Sequence, residues 1–444
     1  MLLTFLQSAA VIIQHENVKI LCDPWLVDGE YFGSWAQYPP YDFKPQKFDD
    51  VDYIYLSHIH PDHASPKTLS QLNKNIPVLI HKFPKKFFKN NIESLGFKVI
   101  ELENNVRTHL KNNLYINIVA ADFCDPEICG RYFGCHFLQK KMGTNQIDTM
   151  CVIDNQKETI VNTNDCVFPL AEFAASKIKE AYGEIDMILM GYSGASPYPH
   201  CFELTPEEKE KAIQQKKETT LNRGKNYIEL FKPKYFMPFA GRYTLTGKSS
   251  IYNFERGEPE LEDAFDYYVL NVDQKKSKCI LLNPDNTFDT TTGKSSRSYN
   301  PINIDEKKIY IQNVLSKVKF SYEYEREPLL IEILKLIPKC YDKFEQNRIQ
   351  MGFASDTIIL IELPENKLLS ISCNGKGYEI IPREEVTYKK YLKLSLDTRL
   401  LKWLLEGPSK AHWNNAVIGS HIKFKRVPNI YDRGVEYCLN FFYS

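Results

Sequence analysis

The chain has 444 residues, 43% of them hydrophobic and 13% aromatic, enough for a full core and for two domains, which excludes a disordered or fibrous protein. Lys and Arg number 56 and Asp and Glu 56, so the formal net charge is zero, and without the field that attracts a polyanion no nucleic-acid partner is expected. No apolar run reaches the roughly 20 residues of a membrane-spanning helix, and Met1–Leu6 has no basic flank, so the expectation is a soluble, cytoplasmic protein.

In chain order, Leu2–Leu6, Ala10–Gln14, Val18–Leu21 and Tyr53–Leu56 are short apolar runs bounded by turn residues and predict strands. Ser65-Pro66-Lys67 supplies an N-cap and a first-turn proline for a helix through about Leu72, followed by a strand at Ile76–Ile80. Tyr115–Ala120, Thr149–Ile153, Thr159–Asn162 and Ile185–Met190 read as further strands, with a helix at Leu170–Ala181. Thr205-Pro206-Glu207-Glu208 is a capping-box pattern that opens a long, mostly solvent-facing helix to about Leu230.

From Asn283 to Lys307 the composition turns to Asp, Thr, Ser, Gly and Asn, which places a first domain at 1–285, a linker at 286–307 and a smaller α+β domain at 308–444. The second domain is expected to hold helices near Glu327–Lys335 and Thr398–Leu405. Its strands are expected near Thr357–Glu362, Leu368–Cys373, Leu392–Leu396, Ile422–Arg426 and Glu436–Phe442. The eleven cysteines are scattered from Cys22 to Cys438 without a C-x-x-C pair, even where Cys124, Cys129 and Cys135 crowd together, and are read as reduced thiols.

The segment that carries chemistry is His58-Ile59-His60-Pro61-Asp62-His63, between a strand and a capped helix. Residues two apart in extended chain project to one side, so His58 and His60 can share one ion while the turn carries Asp62 and His63 towards a second. Such a concentration of ligand-type side chains is costly unless a cation satisfies it. Asp23, before Pro24-Trp25, is placed to orient a ligand histidine through its free ring nitrogen, and Trp25 and Trp35 read as core.

The H-x-H-x-D-H run in this context resembles the metallo-β-lactamase superfamily, which implies an α/β fold, an αββα sandwich with a metal site at the strand ends and Asp165 bridging two ions. Cys22-Asp23-Pro24-Trp25-Leu26, Gly33-Ser34-Trp35, Ile147-Asp148-Thr149, Asn162–Cys166, Ser193-Gly194-Ala195-Ser196 with Pro199, and Pro238-Phe239-Ala240-Gly241 are similar to the metallo-β-lactamase-type domain of the CMP-N-acetylneuraminate hydroxylases over about residues 1–260. That family hydroxylates a sugar nucleotide with iron and dioxygen and also carries a Rieske domain. No C-x-H with C-x-x-H pair occurs here, so the electrons would come from a separate electron-transfer protein.

Two positions depart from the superfamily pattern. At the third-histidine position the chain reads Ala121-Asp122-Phe123-Cys124-Asp125, which makes Asp122 or Asp125 a candidate ligand, with His136 as the rival; extra carboxylates favour iron or manganese over zinc. At the last-histidine position there is only His200, as a ligand or as a polar loop residue. Arg242 and Lys248 could meet an anionic group of a small-molecule substrate. The C-terminal segments Leu396–Gly407 and Ile418-Gly419-Ser420 resemble a sterol-carrier-protein-2-like domain, which implies an apolar ligand or a homodimer contact, while His412-Trp413-Asn414-Asn415 is read as structural or interfacial.

The expected function is therefore that of a dinuclear metal enzyme with two ions, iron ahead of zinc or manganese, hydroxylating a sugar nucleotide or surface-sugar precursor, with Asp62 and Asp165 as the catalytic carboxylates. The alternatives are a metal-dependent hydrolase of a phosphoester, ester or amide, and a non-catalytic scaffold whose site has decayed.

Overall fold

The computed structural model describes residues 1–121, 148–241 and 243–444. β1 (Leu2–Gln7), β2 (Ala10–His15) and β3 (Val18–Cys22) form an antiparallel meander, and β4 (Trp35–Ala36) lies in the long loop that follows. β5 (Tyr53–Tyr55), β6 (Val78–His81) and β7 (Val99–Leu102) then add in parallel to β3, with α1 (Pro66–Leu69) and α2 (Phe87–Ser94) as the crossovers. β8 (Thr108–His109), β9 (Tyr115–Ala120), β10 (Thr149–Asp154) and β11 (Thr159–Asn162) start a second sheet by antiparallel pairing. It continues in parallel through α3 (Phe168–Tyr182), β12 (Met187–Gly191), α4 (Pro206–Phe231) and β13 (Tyr235–Phe239). β14 (Thr244–Leu245) pairs with β4, and α5 (Leu261–Asn271) leads to β15 (Lys278–Cys279), which closes the second sheet beside β13.

The two sheets face each other across one apolar layer that includes Leu3, Val11, Ile20, Tyr55, Ile116, Cys151, Ile160 and Leu189. α1 and α2 cover the outer face of the first sheet through Leu69, Phe88 and Ile92, and α3, α4 and α5 cover the second through Ala171, Ala174, Tyr227, Phe231 and Tyr268. Each sheet thus buries both faces, the reason its strands read as continuous apolar runs, and the N-terminal part is the expected αββα sandwich. Both predicted caps form: Ser65 Oγ accepts from Thr68 N at 3.1 Å, and Thr205 and Glu208 make a reciprocal capping box.

The structure corrects the proposed linker at 286–307. β16 (Thr287–Asp289) pairs with β1 and β17 (Lys294–Ser295) with β16, so the segment is an edge hairpin of the first sheet, in the order β17-β16-β1-β2-β3-β5-β6-β7. Its polar composition is that of an exposed edge, which composition alone does not separate from a linker. α6 (Ile304–Asn313), capped by Asn303, begins inside the last residues of the expected linker.

The C-terminal unit contains α7 (Leu330–Leu334) and α8 (Ile337–Gln350), followed by β18 (Ile358–Leu363), β19 (Lys367–Ser372), β20 (Tyr378–Pro382) and β21 (Tyr391–Ser395). It ends with α9 (Thr398–Glu406), α10 (Trp413–Ile418), β22 (Lys423–Val427) and α11 (Arg433–Leu439). Its five strands run β20-β19-β18-β21-β22 and it has its own core around Phe344, Ile361, Leu394, Leu401 and Trp413, an α+β unit as expected. Glu436–Phe442 was expected to be a strand; its first residues lie in α11, whose Val435, Cys438 and Leu439 are buried at helical spacing. All eight cysteines among the described residues are free and buried; Cys124, Cys129 and Cys135 lie outside them. Among the described residues no helix is long and apolar enough to cross a membrane.

Candidate metal centre

The loop after β5 and the loop after β11 leave the same end of the sandwich. Because β10 is antiparallel to β11, with Cys151 opposite Asn162, the residue that precedes β10, Asp148, sits at that end too. Three polar side chains stitch the sheets together beneath the loops: Tyr55 Oη lies 3.0 Å from Thr149 Oγ1, Thr149 Oγ1 donates to the Ser57 carbonyl at 2.8 Å, and Asn164 Nδ2 donates to the Thr149 carbonyl at 2.9 Å. Asp23 and Asn164 take positive φ angles of 42° and 46°, a left-handed conformation that Asp and Asn tolerate and that turns each loop sharply at its strand end.

Two groups of donor atoms converge there. His58, His60 and Asp148 form one, and His58, His63 and Asp165 the other, each with its ligand atoms within 4.8 Å of one another. His58 Nε2 lies 2.9 Å from His60 Nδ1, 3.7 Å from Asp148 Oδ1 and 3.9 Å from Asp165 Oδ2, while His63 Nε2 lies 3.2 Å from Asp165 Oδ1. Asp62 stands beside them, its Oδ2 3.6 Å from His63 Nε2 and its Oδ1 accepting from the Tyr31 hydroxyl. Behind the ligands, Asp23 accepts from Ser57 N at 2.8 Å and Ser57 Oγ at 2.6 Å, and its Oδ2 lies 2.7 Å from His63 Nδ1. That contact leaves Nε2 of His63 facing Asp165.

The electrostatics separate the three histidines. Burial, reinforced by His63 and His60, holds His58 well below its ordinary pKa, so its imidazole is neutral and able to bind a metal. His60 is lowered, again chiefly by burial. Burial also opposes a charge on His63, yet Asp165, Asp23 and Asp62 together override it and raise the pKa well above the usual value. Burial raises Asp62, whereas in Asp165 the attraction of His63 outweighs burial and lowers it. Three carboxyl groups around the His63 ring mark a place that demands positive charge, and a metal cation meets that demand with the ring neutral. The donor set of imidazoles and carboxylates therefore fits a metal ion.

The remaining sequence candidates fall elsewhere. Asp122, Asp125, His136 and Arg242 lie outside the described residues. His200 is buried against the C-terminal unit, with Nε2 2.8 Å from Ser420 Oγ and its ring beside Tyr252, and belongs to neither convergent group. Burial, with Lys216 and Arg256, lowers its pKa to about 2. Lys248 turns to the C-terminal unit: its Nζ lies 3.1 Å from Glu323 and 3.3 Å from Asp397, an ion pair across the two units. Trp25 and Trp35 pack with Tyr31, Tyr243 and Leu245, as expected of core. Sequence reasoning missed Asp148 as a ligand candidate; its place immediately before a buried strand was the available signal.

A cavity of about 570 Å³ opens beside the centre, lined by His60, Asp148, Asp165, Ser193, Ser196 and Arg223 among others. Lys216 braces its wall, with Nζ 3.0 Å from the carbonyls of Ser196 and Tyr198 and 2.5 Å from Glu258.

Residues 2–124 match the model of the β-lactamase superfamily domain. A Mycolicibacterium smegmatis protein named for a Rieske 2Fe-2S centre is 28% identical over 249 residues, which cover 54% of this chain and 43% of that protein. The cytidine monophosphate-N-acetylneuraminic acid hydroxylase of Danio rerio is 24% identical over 288 residues, covering 61% of this chain and 44% of its own. The match thus spans less than half the length of these relatives. Among solved structures, an isothiocyanate hydrolase from Delia radicum gut bacteria aligns with a TM-score of 0.44 at 13% identity, covering 65% of this chain and 99% of its own. The matched segment carries the His58–His63 run on the loop where the two sheets of the αββα sandwich meet, so residues 2–124 are similar to the β-lactamase superfamily domain in sequence and lie within a fold of the expected kind.

Proposed function

We propose that the chain is a dinuclear metal-dependent enzyme that hydroxylates a small anionic substrate of the sugar-nucleotide class with iron and dioxygen. The observation that carries this reading is the pair of donor groups that share His58 and include the carboxylates Asp148 and Asp165, with Asp62 adjacent. Hard oxygen ligands mixed with imidazole suit iron or manganese better than an imidazole-only shell does. The relatives named as hydroxylase and as Rieske protein support the oxidative reading. Bound ions would supply Lewis acidity and, if redox-active, a relay that passes two electrons from an external donor to dioxygen.

The chain's own residues do the rest. His58, His60 and Asp148 would hold one ion, and His63 and Asp165, with Asp62 beside them, would hold the other, while Asp23 keeps His63 turned inwards. Arg223 brings positive charge to the cavity wall, where a phosphate or carboxylate of the substrate would be recognised. Ser193 and Ser196, from the loop that Lys216 braces, offer hydroxyls for the substrate's polar groups. Electrons would come from a separate electron-transfer protein.

The test is elemental analysis and optical absorption of protein purified anaerobically from iron-supplemented cells. Two irons per chain, with an absorption change when oxygen meets the reduced form, is the expected result. Retained zinc without a redox response would replace the hydroxylase by a hydrolase, and protein without stoichiometric metal would overturn the metal centre altogether.

A further inference from the structure

The C-terminal unit reaches the candidate metal centre directly. Asn414, 354 residues from His60 in the chain, places its side-chain amide nitrogen 3.1 Å from His60 Nε2, on the side of the ring opposite the atom that faces His58. Its position is tightly held. The His412 ring caps α10 by accepting from Asn414 N at 3.1 Å, and the indole of the buried Trp413 donates to the Phe442 carbonyl at 2.9 Å. The following turn is anchored to the N-terminal domain as well: His421 Nε2 donates to the Tyr31 carbonyl at 2.7 Å, and Ser420 Oγ meets His200. Tyr31 in turn donates its hydroxyl to Asp62.

We infer that Asn414 is a positioning residue for His60, so that the C-terminal unit completes the outer shell of one metal position; the inference rests on the metal-centre reading above. His60 can offer Nδ1 to an ion only as the tautomer with its proton on Nε2, and Asn414 is the side chain placed to accept that proton. A half-turn of the Asn414 amide presents its oxygen there at the same distance. With the amide nitrogen facing it instead, Nε2 is the acceptor, the proton moves to Nδ1 and points at His58. The amide therefore couples the state of the His60 ring to the C-terminal unit.

Cobalt(II) titration of the metal-free full chain, with chelator competition and the visible absorption of bound cobalt, tests this. Asn414→Leu, which keeps the volume and removes the acceptor, is expected to weaken one of the two ions about 10–100-fold and to alter its visible band. Asn414→Asp, which restores an acceptor, is expected to recover affinity to within a few-fold. Wild-type affinity in Asn414→Leu would overturn the inference, and so would a loss that Asn414→Asp fails to restore, since that marks a packing role only. His60→Ala is the control: if it too keeps both ions, the metal-centre reading fails, whereas loss in His60→Ala with none in Asn414→Leu refutes only the role of Asn414.

Discussion

Replacing Asp23 by Asn tests whether the hydrogen-bond network behind the ligands governs metal binding. Asp23 is fully buried and its Oδ2 serves both Ser57 Oγ, at 2.6 Å, and His63 Nδ1, at 2.7 Å. The residue's positive φ suits Asn at least as well as Asp, so the substitution leaves the backbone turn intact. With Oδ1 still accepting from Ser57 N, the new amide nitrogen faces His63 Nδ1, donor against donor. The ring answers by shifting its proton to Nε2, the atom that faces Asp165. Loss of such a carboxylate–histidine contact lowers metal affinity about 10–100-fold, or about 1.4–2.7 kcal/mol. Without metal, the lost charge-assisted hydrogen bond costs about 1.5–3 kcal/mol of stability. Chelator competition gives the first quantity and urea unfolding with excess chelator the second. Metal affinity within twofold of wild type would refute the claim that Asp23 sets the His63 tautomer.

Burial raises the Glu30 carboxyl from the usual 4.5 to about 7, against a hydrogen bond from Ser65 Oγ. The folded state then holds a proton that the unfolded chain has released, so stability falls as pH rises from about 4.5 to 7, by about 3 kcal/mol from this group. Glu30→Gln should flatten that slope in urea unfolding at pH 5 and pH 8, and an unchanged slope would show that Glu30 is not its source. Trp413 is 1% exposed in the C-terminal core, and Trp413→Ala should cost about 3–5 kcal/mol in the transition of that unit, read by denaturant unfolding; a cost below about 1 kcal/mol would contradict the packing described. At Gly224 a Cβ would come 2.1 Å from the Tyr268 hydroxyl, so Gly224→Ala forces α4 and α5 apart and should destabilise by about 1–3 kcal/mol. Pairing it with Tyr268→Phe should recover part of that loss, and strictly additive effects in the double variant would count against this contact.

Much of the molecule was readable from local signals. The strands of the first sheet, the caps at Ser65 and Thr205 and the His58–His63 run depend on neighbours a few residues apart, and spacing of that range is visible in a one-dimensional string. Asp23 was legible for a similar reason, standing at the end of a strand beside a turn proline. The edge hairpin at 287–295 was not, because its polar residues are ordered by pairing with β1 at the far end of the chain. The segment of α11 reads as a strand in the sequence because a short apolar run has no decisive period.

The sequence by itself determined the fold class, the end of the sandwich at which the chemistry gathers and the residue types available there. Only the tertiary structure decided that Asp148 joins His58 and His60, that His200 and Lys248 serve contacts with the C-terminal unit, and that Asn414 stands behind His60. Ligand convergence needs atoms from distant segments placed within a few ångströms, and that placement is set by sheet pairing and domain packing, long-range interactions that leave no local pattern in the residues they bring together.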